Sequence, residues 1–219
     1  MTATAALFDL DGTLTDPEVG ITTCIAYGLE KIGAEVPPQS ALRDWIGAPL
    51  QETLFDHLGS RVLADEALKG YRERFEPIGM FENVLYDGMR EALAAVREHC
   101  SRLYVVTSKP TVFAEKILRH FELTSWFDAV YGSELDGRYT NKRELVAYVA
   151  DRHALEASRS VMIGDRRFDI EAARCNGMKG LGVLWGFGSL DELRTAGADA
   201  VCARVDALPS QVTALLRDD

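Results

Sequence analysis

Apolar residues along the chain fall into short unbroken runs that alternate with stretches of helical periodicity. Ala5-Ala6-Leu7-Phe8 is continuous and apolar and stops at an acidic turn, Asp9-Leu10-Asp11-Gly12-Thr13, the pattern of a short strand covered on both faces. Asp16 followed by Pro17 predicts an N-cap with proline at the first helical position. Ile21, Ile25, Leu29 and Ile32 then form one stripe ahead of Gly33, so an amphipathic helix is predicted over 17–32. Between about Glu35 and Met80, helical stretches over 50–58 and 62–75 are broken by Pro37-Pro38 and Gly47-Ala48-Pro49, with no strand predicted.

Past Asp87-Gly88 the pattern predicts helix 89–99, strand 103–107, helix 111–121, strand 127–131, helix 142–153 and strand 161–163. Helix 168–175, strand 181–185, helix 190–196, strand 199–202 and helix 206–216 follow. Such alternation requires right-handed crossovers and a parallel sheet with helices on both faces. The expected fold is therefore α/β, a doubly wound parallel sheet with a small helical domain inserted after the first strand. The core is expected over 1–15 and 84–219, the insertion over 16–83.

Composition narrows the function. The 219 residues carry 24 Lys and Arg against 34 Asp and Glu, a net charge of −10, and 47% are hydrophobic. That apolar content excludes disorder, and the dispersed basic residues disfavour a nucleic-acid polymer as partner. No window has the ~18 uncharged apolar residues of a membrane span, and the first residues lack a basic leader, so no membrane association and a cytoplasmic location are expected. Cys24, Cys100, Cys175 and Cys202 lie far apart and are expected to be buried free thiols; the four histidines show no metal-ligand spacing.

In sheets of this kind ligands bind beyond the carboxyl ends of the strands. Asp9, Asp11 and Thr13 follow the first strand, and Thr107, Ser108 and Lys109 the second. Lys142 opens a helix, and Asp165 and Asp169 follow the fourth strand. Carboxylates gathered this closely need a cation among them, and oxygen-only ligation suits Mg²⁺. Asp9 and Asp11, two apart, leave the strand on the same side, so one can attack phosphorus while the other moves protons. Thr107, backbone N–H groups and a lysine suit a developing phosphoryl charge. Lys109 stands open between a phosphate contact and a structural ion pair. Arg166 and Arg167 are expected to form a solvated positive face, and Asp16 to cap a helix.

Asp9-Leu10-Asp11-Gly12-Thr13-Leu14, Thr107, Lys142 and Gly164-Asp165-Arg166-Arg167-Phe168-Asp169 together resemble the four motifs of the haloacid dehalogenase superfamily, in order and over nearly the whole chain. The resemblance implies a Rossmann-like core with a first-type helical cap, as in phosphoglycolate phosphatase-like members. It further implies Asp9 as nucleophile and Asp11 as acid/base, with the Asp11 backbone carbonyl on Mg²⁺. Thr107 becomes a phosphate binder, Lys142 the neutralising cation and Asp165 a metal ligand, while Asp169 orients the lysine or a metal-bound water. Dehalogenases lack the second carboxylate, so Asp11 points to phosphate chemistry.

The stretches 79–88, 135–137 with 140–142, and 186–189 are similar to a 5'-nucleotidase-like branch, with phosphoglycolate or another small organic phosphate as the alternative substrate. Ser108 and Gly47 are further candidate substrate contacts. The apolar tip of the loop 45–50 favours hydrolysis over mutase chemistry, with Arg43 nearby; Trp45 and Phe81 stand open between stacking a nucleobase and packing inside the insertion. The expected function is Mg²⁺-dependent hydrolysis of a small phosphorylated metabolite through an aspartyl-phosphate. A phospho-Asp signalling module is the rival from another class, but such domains are smaller and lack the insertion. No oligomeric state is read from the sequence.

Overall fold

The computed structural model describes residues 3–217. Its first strand is the predicted apolar run, β1 (Ala5–Phe8), with all four residues fully buried. The chain then forms a short strand β2 (Thr15–Asp16) and enters four helices: α1 (Glu18–Lys31), α2 (Gln39–Arg43), α3 (Leu50–Leu58) and α4 (Arg61–Phe75). It returns through β3 (Val84–Leu85), which forms a two-stranded ribbon with β2. The remainder is α5 (Met89–His99), β4 (Arg102–Pro110), α6 (Thr111–His120), β5 (Ala129–Ser133), α7 (Lys142–Arg152), β6 (Ser160–Gly164), α8 (Arg167–Cys175), β7 (Lys179–Val183), α9 (Leu190–Ala196), β8 (Ala200–Cys202) and α10 (Leu208–Arg217). Two compact units result: the chain up to Thr15 together with everything from Leu85 onward, and Asp16–Val84.

The larger unit is a six-stranded sheet in the order β5-β4-β1-β6-β7-β8, parallel throughout. Side chains alternate faces along a strand. Ala5 and Leu7 pack with Leu145, Val146 and Val149 of α7 and with Ala172 and Ala173 of α8, while Phe8, of opposite parity, meets Phe127 edge-on at 5.9 Å. Both faces of β1 are thus covered, which is why it reads as an unbroken apolar run, and the fold is the doubly wound one expected.

Differences from expectation have local causes. β7 starts at Lys179 rather than 181 because Gly180 and Gly182, weak strand signals, lie under helices. A Cβ on Gly182 would sit 2.8 Å from Leu193 Cδ1, so α9 packs too closely for a larger residue. β4 extends to Pro110 with a register shift against β5 between Val106 and Pro110, and β5 begins at Ala129 rather than 127. Pro17 stands just outside α1, and the Glu18 N–H donates to Asp16 Oδ1 at 3.0 Å. The five-residue α2 was not predicted. Cys24, Cys100 and Cys202 are buried, but Cys175, the last residue of α8, is exposed, which corrects the expectation of four buried thiols. Among the described residues no helix is long and apolar enough to cross a membrane.

Within the smaller unit, α1 and α4 approach closely where glycines face each other. A Cβ on Gly28 would lie 2.4 Å from the Ala67 carbonyl oxygen, and one on Gly70 3.0 Å from Gly28 Cα. Arg43 pairs with Glu18 at 3.1 Å. Trp45 is half-buried edge-on to His57, and Phe81 is exposed.

Candidate active site

Chain order scatters the candidate residues from Asp9 to Asp169 over 160 positions, and the parallel sheet gathers them because β1, β4 and β6 are adjacent and end together. Asp9 and Asp11 leave the end of β1. The Asp9 N–H donates to Ile163 O at 2.9 Å, which continues the β1–β6 ladder one step past the strand. Lys142, first residue of α7, reaches in with its ammonium 2.9 Å from Asp9 Oδ1 and ion-paired also to Asp169 Oδ1. Asn141 fixes that helix start by accepting the Arg143 N–H. Lys109, from the irregular end of β4, places Nζ 2.8 Å from Asp11 Oδ2. The two carboxylates of the D-x-D turn are therefore each held by a different lysine.

Asp165 is fully buried and gripped from two sides. Phe187 N–H donates to its Oδ2 at 2.8 Å, Thr13 Oγ1 to its Oδ1 at 3.4 Å, and the Trp185 indole N–H holds the Thr13 carbonyl at 3.0 Å. Space there is scarce. Gly12, at φ +81°, would put a Cβ 2.2 Å from Asp165 Oδ2, one on Gly186 would meet Gly12 O at 2.3 Å, and one on Gly188 would meet Asp165 O at 1.9 Å. Asp169 accepts the Arg166 N–H at 3.0 Å.

One carboxylate oxygen from each of Asp9, Asp165 and Asp169 lies within 4.8 Å of the others; the Asp11 carboxyl is outside this group, on Lys109. Burial, then the neighbouring Asp169 and Asp9 charges, push the Asp165 carboxyl well above the ordinary range. Burial also raises Asp11, against the opposing pull of Lys109, and raises Asp169 against Lys142. For Lys142 burial works downward, yet Asp169 and Asp9 outweigh it and the ammonium is held above the usual lysine value. Four buried carboxyls face two buried ammonium groups, a surplus of two acidic groups. Asp11 Oδ1 is buried and accepts no hydrogen bond. An all-oxygen donor set with that surplus fits one hard divalent cation such as Mg²⁺.

Thr107 is buried, its Oγ1 accepting the Lys109 N–H at 3.2 Å. Ser108 is half-buried, and its carbonyl accepts Ser133 Oγ at 2.8 Å. Gly47, at φ +87°, belongs to the smaller unit. The expected solvated pair of arginines is corrected: Arg166 is largely buried, with Nε donating to Glu192 at 3.0 Å, and only Arg167 is exposed, over the Phe168 ring. Sequence reading missed the segment Trp185–Gly188 as the support of Asp165. Its signal is two glycines directly after a strand, where backbone must come close to something.

A model of the haloacid dehalogenase-like hydrolases matches residues 6–183. A 5'-nucleotidase of Pseudomonas aeruginosa is 45% identical over 203 residues, 92% of each chain. Tyrosine-protein kinase PtkA of Mycobacterium tuberculosis is 35% identical over 204 residues, 92% of this chain and 70% of that relative. The crystal structure of a predicted phosphatase from Clostridium acetobutylicum is similar at a TM-score of 0.92 and 38% identity, covering 97% of this chain and 99% of that one. With that match lying across every strand-end carboxylate described above, the chain belongs to the haloacid dehalogenase-like hydrolases, as one of their phosphatases.

Proposed function

We propose that this phosphatase is a Mg²⁺-dependent phosphomonoester hydrolase acting on nucleoside 5'-monophosphates through an aspartyl-phosphate on Asp9. The observation that carries the reading is the separate tethering of Asp9 and Asp11 by Lys142 and Lys109, which gives two carboxyls on one turn two different environments. Asp9, paired to a cation, attacks phosphorus as the bond to the leaving oxygen breaks. Asp11, whose burial favours its protonated form, gives its proton to that oxygen. A water then attacks the phosphoryl group, Asp11 takes the water's proton, and phosphate leaves with Asp9 restored.

Thr107 and Lys142 are assigned to the phosphoryl oxygens, with Ser108 supplying further contact. Asp9, Asp165 and the Asp11 carbonyl are assigned to the metal, and Asp169 to holding Lys142 in place. When bound, the ion supplies positive charge against the transferring group. Substrate choice is assigned to the inserted helical unit, which carries Gly47, Trp45 and Phe81. The nucleotide reading is supported by the Pseudomonas relative's name.

The test is a panel of 5'-nucleotides, phosphoglycolate and p-nitrophenyl phosphate, with Mg²⁺, scored by kcat/KM. The best nucleotide should exceed phosphoglycolate by about tenfold or more; the reverse order makes the enzyme a phosphatase of small organic acids, and no phosphate release from any ester, with metal bound, overturns the reading. Because one relative is named a tyrosine kinase, a tyrosine peptide with ATP is included. Phosphate on the peptide instead of in solution would establish transfer to a hydroxyl.

A further inference from the structure

Lys109 follows the second motif rather than forming part of it, yet it is almost fully buried with its ammonium on Asp11. Its backbone is fixed from the neighbouring strand. Gly132 leaves room for the Lys109 carbonyl, since a Cβ there would lie 2.2 Å from that oxygen and 2.8 Å from Thr111 N. Ser133 Oγ donates to Ser108 O at 2.8 Å, the Gly132 N–H donates to Thr111 Oγ1 at 3.1 Å, and the Lys109 N–H donates to Thr107 Oγ1. The register shift between β4 and β5 falls across this stretch, between Val106 and Pro110. Only one oxygen of Asp11 is engaged: Oδ2 lies on Lys109, whereas Oδ1 is buried and accepts no hydrogen bond. An unmet buried acceptor is unfavourable, so this oxygen is poised to gain a partner. A carboxyl turns readily about its last torsion, so without a tether its two oxygens would exchange places.

We propose that Lys109 is a positioning residue for proton transfer: by holding Oδ2 of Asp11 it makes Oδ1 the oxygen that gives up and takes back the proton. This rests on the reading of Asp11 as acid/base. In the first step the proton leaves Oδ1 for the ester oxygen as the P–O bond breaks and the bond from Asp9 to phosphorus forms. In the second, the attacking water's proton returns to Oδ1 as the Asp9–phosphorus bond breaks.

The discriminating measurement is leaving-group dependence, because an alkoxide needs a proton to depart and p-nitrophenolate does not. Wild type, Lys109→Met, Lys109→Arg, Asp11→Asn and the Lys109→Met/Asp11→Asn double variant are compared on p-nitrophenyl, phenyl and alkyl phosphates. In Lys109→Met the loss of kcat for alkyl esters should exceed that for p-nitrophenyl phosphate by about tenfold or more, with KM little changed and partial recovery in Lys109→Arg. The double variant should match Asp11→Asn alone. Equal losses across the series, or a further uniform loss in the double variant, overturn the proposal. Should Lys109→Met fail to fold, the double variant, which leaves no unpaired buried carboxylate, decides on its own comparison with Asp11→Asn. A wild type that hydrolyses none of the esters overturns the functional reading itself, and the proposal with it.

Discussion

Gly12 sets the tolerance of the site at the scale of one residue. It adopts φ +81°, where a side chain costs roughly 1–2 kcal/mol, and its missing Cβ is what lets Asp165 stand beside the turn, 2.2 Å from where that atom would be. Gly12→Ala should lower Tm in EDTA and reduce kcat by more than about tenfold as Asp165 is displaced; melting curves and steady-state rates check both. Asp9→Asn should abolish turnover and any acid-stable phosphoprotein. Asp11→Asn should slow alkyl ester hydrolysis by roughly 10²–10⁴-fold, and the two variants compared side by side with radiolabelled substrate separate nucleophile from proton carrier. The motif residues were legible because their order and spacing along the chain form one pattern, D-x-D-G-T after the first strand and G-D-x-x-x-D after the fourth. The pairing of Lys109 with Asp11 was not, because it joins residues 98 apart in sequence through a strand irregularity.

At the scale of elements, the ends of α5, β4 and β5 are tied by one carboxylate. Asp128 accepts from Arg97 at 2.6 Å, from the Leu103 N–H at 2.9 Å and from Arg102 at 3.1 Å. Burial alone would raise its pKa, but these three donors outweigh it and hold it at about 2, below the ordinary 3.8. Because the folded value is the lower one, the stabilisation is complete above pH 4 and is lost as pH falls toward 2. Both arginines are partly exposed and screened, so its size is on the order of 1 kcal/mol. Asp128→Asn should remove that amount at pH 7 and flatten the acid limb of a urea-denaturation series. Several elements were legible from periodicity alone, among them α3, α5 and α9. The start of β7 was not, because glycines kept small by overlying helices carry no hydrophobic signal.

For the whole molecule the pH dependence turns on the buried Asp165 carboxyl. Asp165 has a folded pKa raised well above 3.8, so the metal-free folded chain holds a proton that the unfolded chain releases. Its stability therefore falls as pH climbs from about 4 through that raised value. A divalent ion reverses this. At a hundredfold excess over its dissociation constant Mg²⁺ should contribute about 2.7 kcal/mol, roughly 5–10 °C in Tm for a chain of this length, and the shift should grow with pH. Melting with EDTA and with Mg²⁺ across pH 5–8 checks it; a shift that is absent or shrinks with pH contradicts the assignment of Asp165 to a metal.

The sequence by itself determined the alternation of strands and helices and which carboxylates and lysines stand at the element ends, because periodicity and side-chain type are local properties of a chain. Only the tertiary structure decided which lysine meets which carboxylate, that Asp169 and not the Asp11 carboxyl joins Asp9 and Asp165, and that Trp185–Gly188 braces them. Those facts depend on the lateral order and exact ending of strands that are distant in sequence, and no single segment of the chain encodes them.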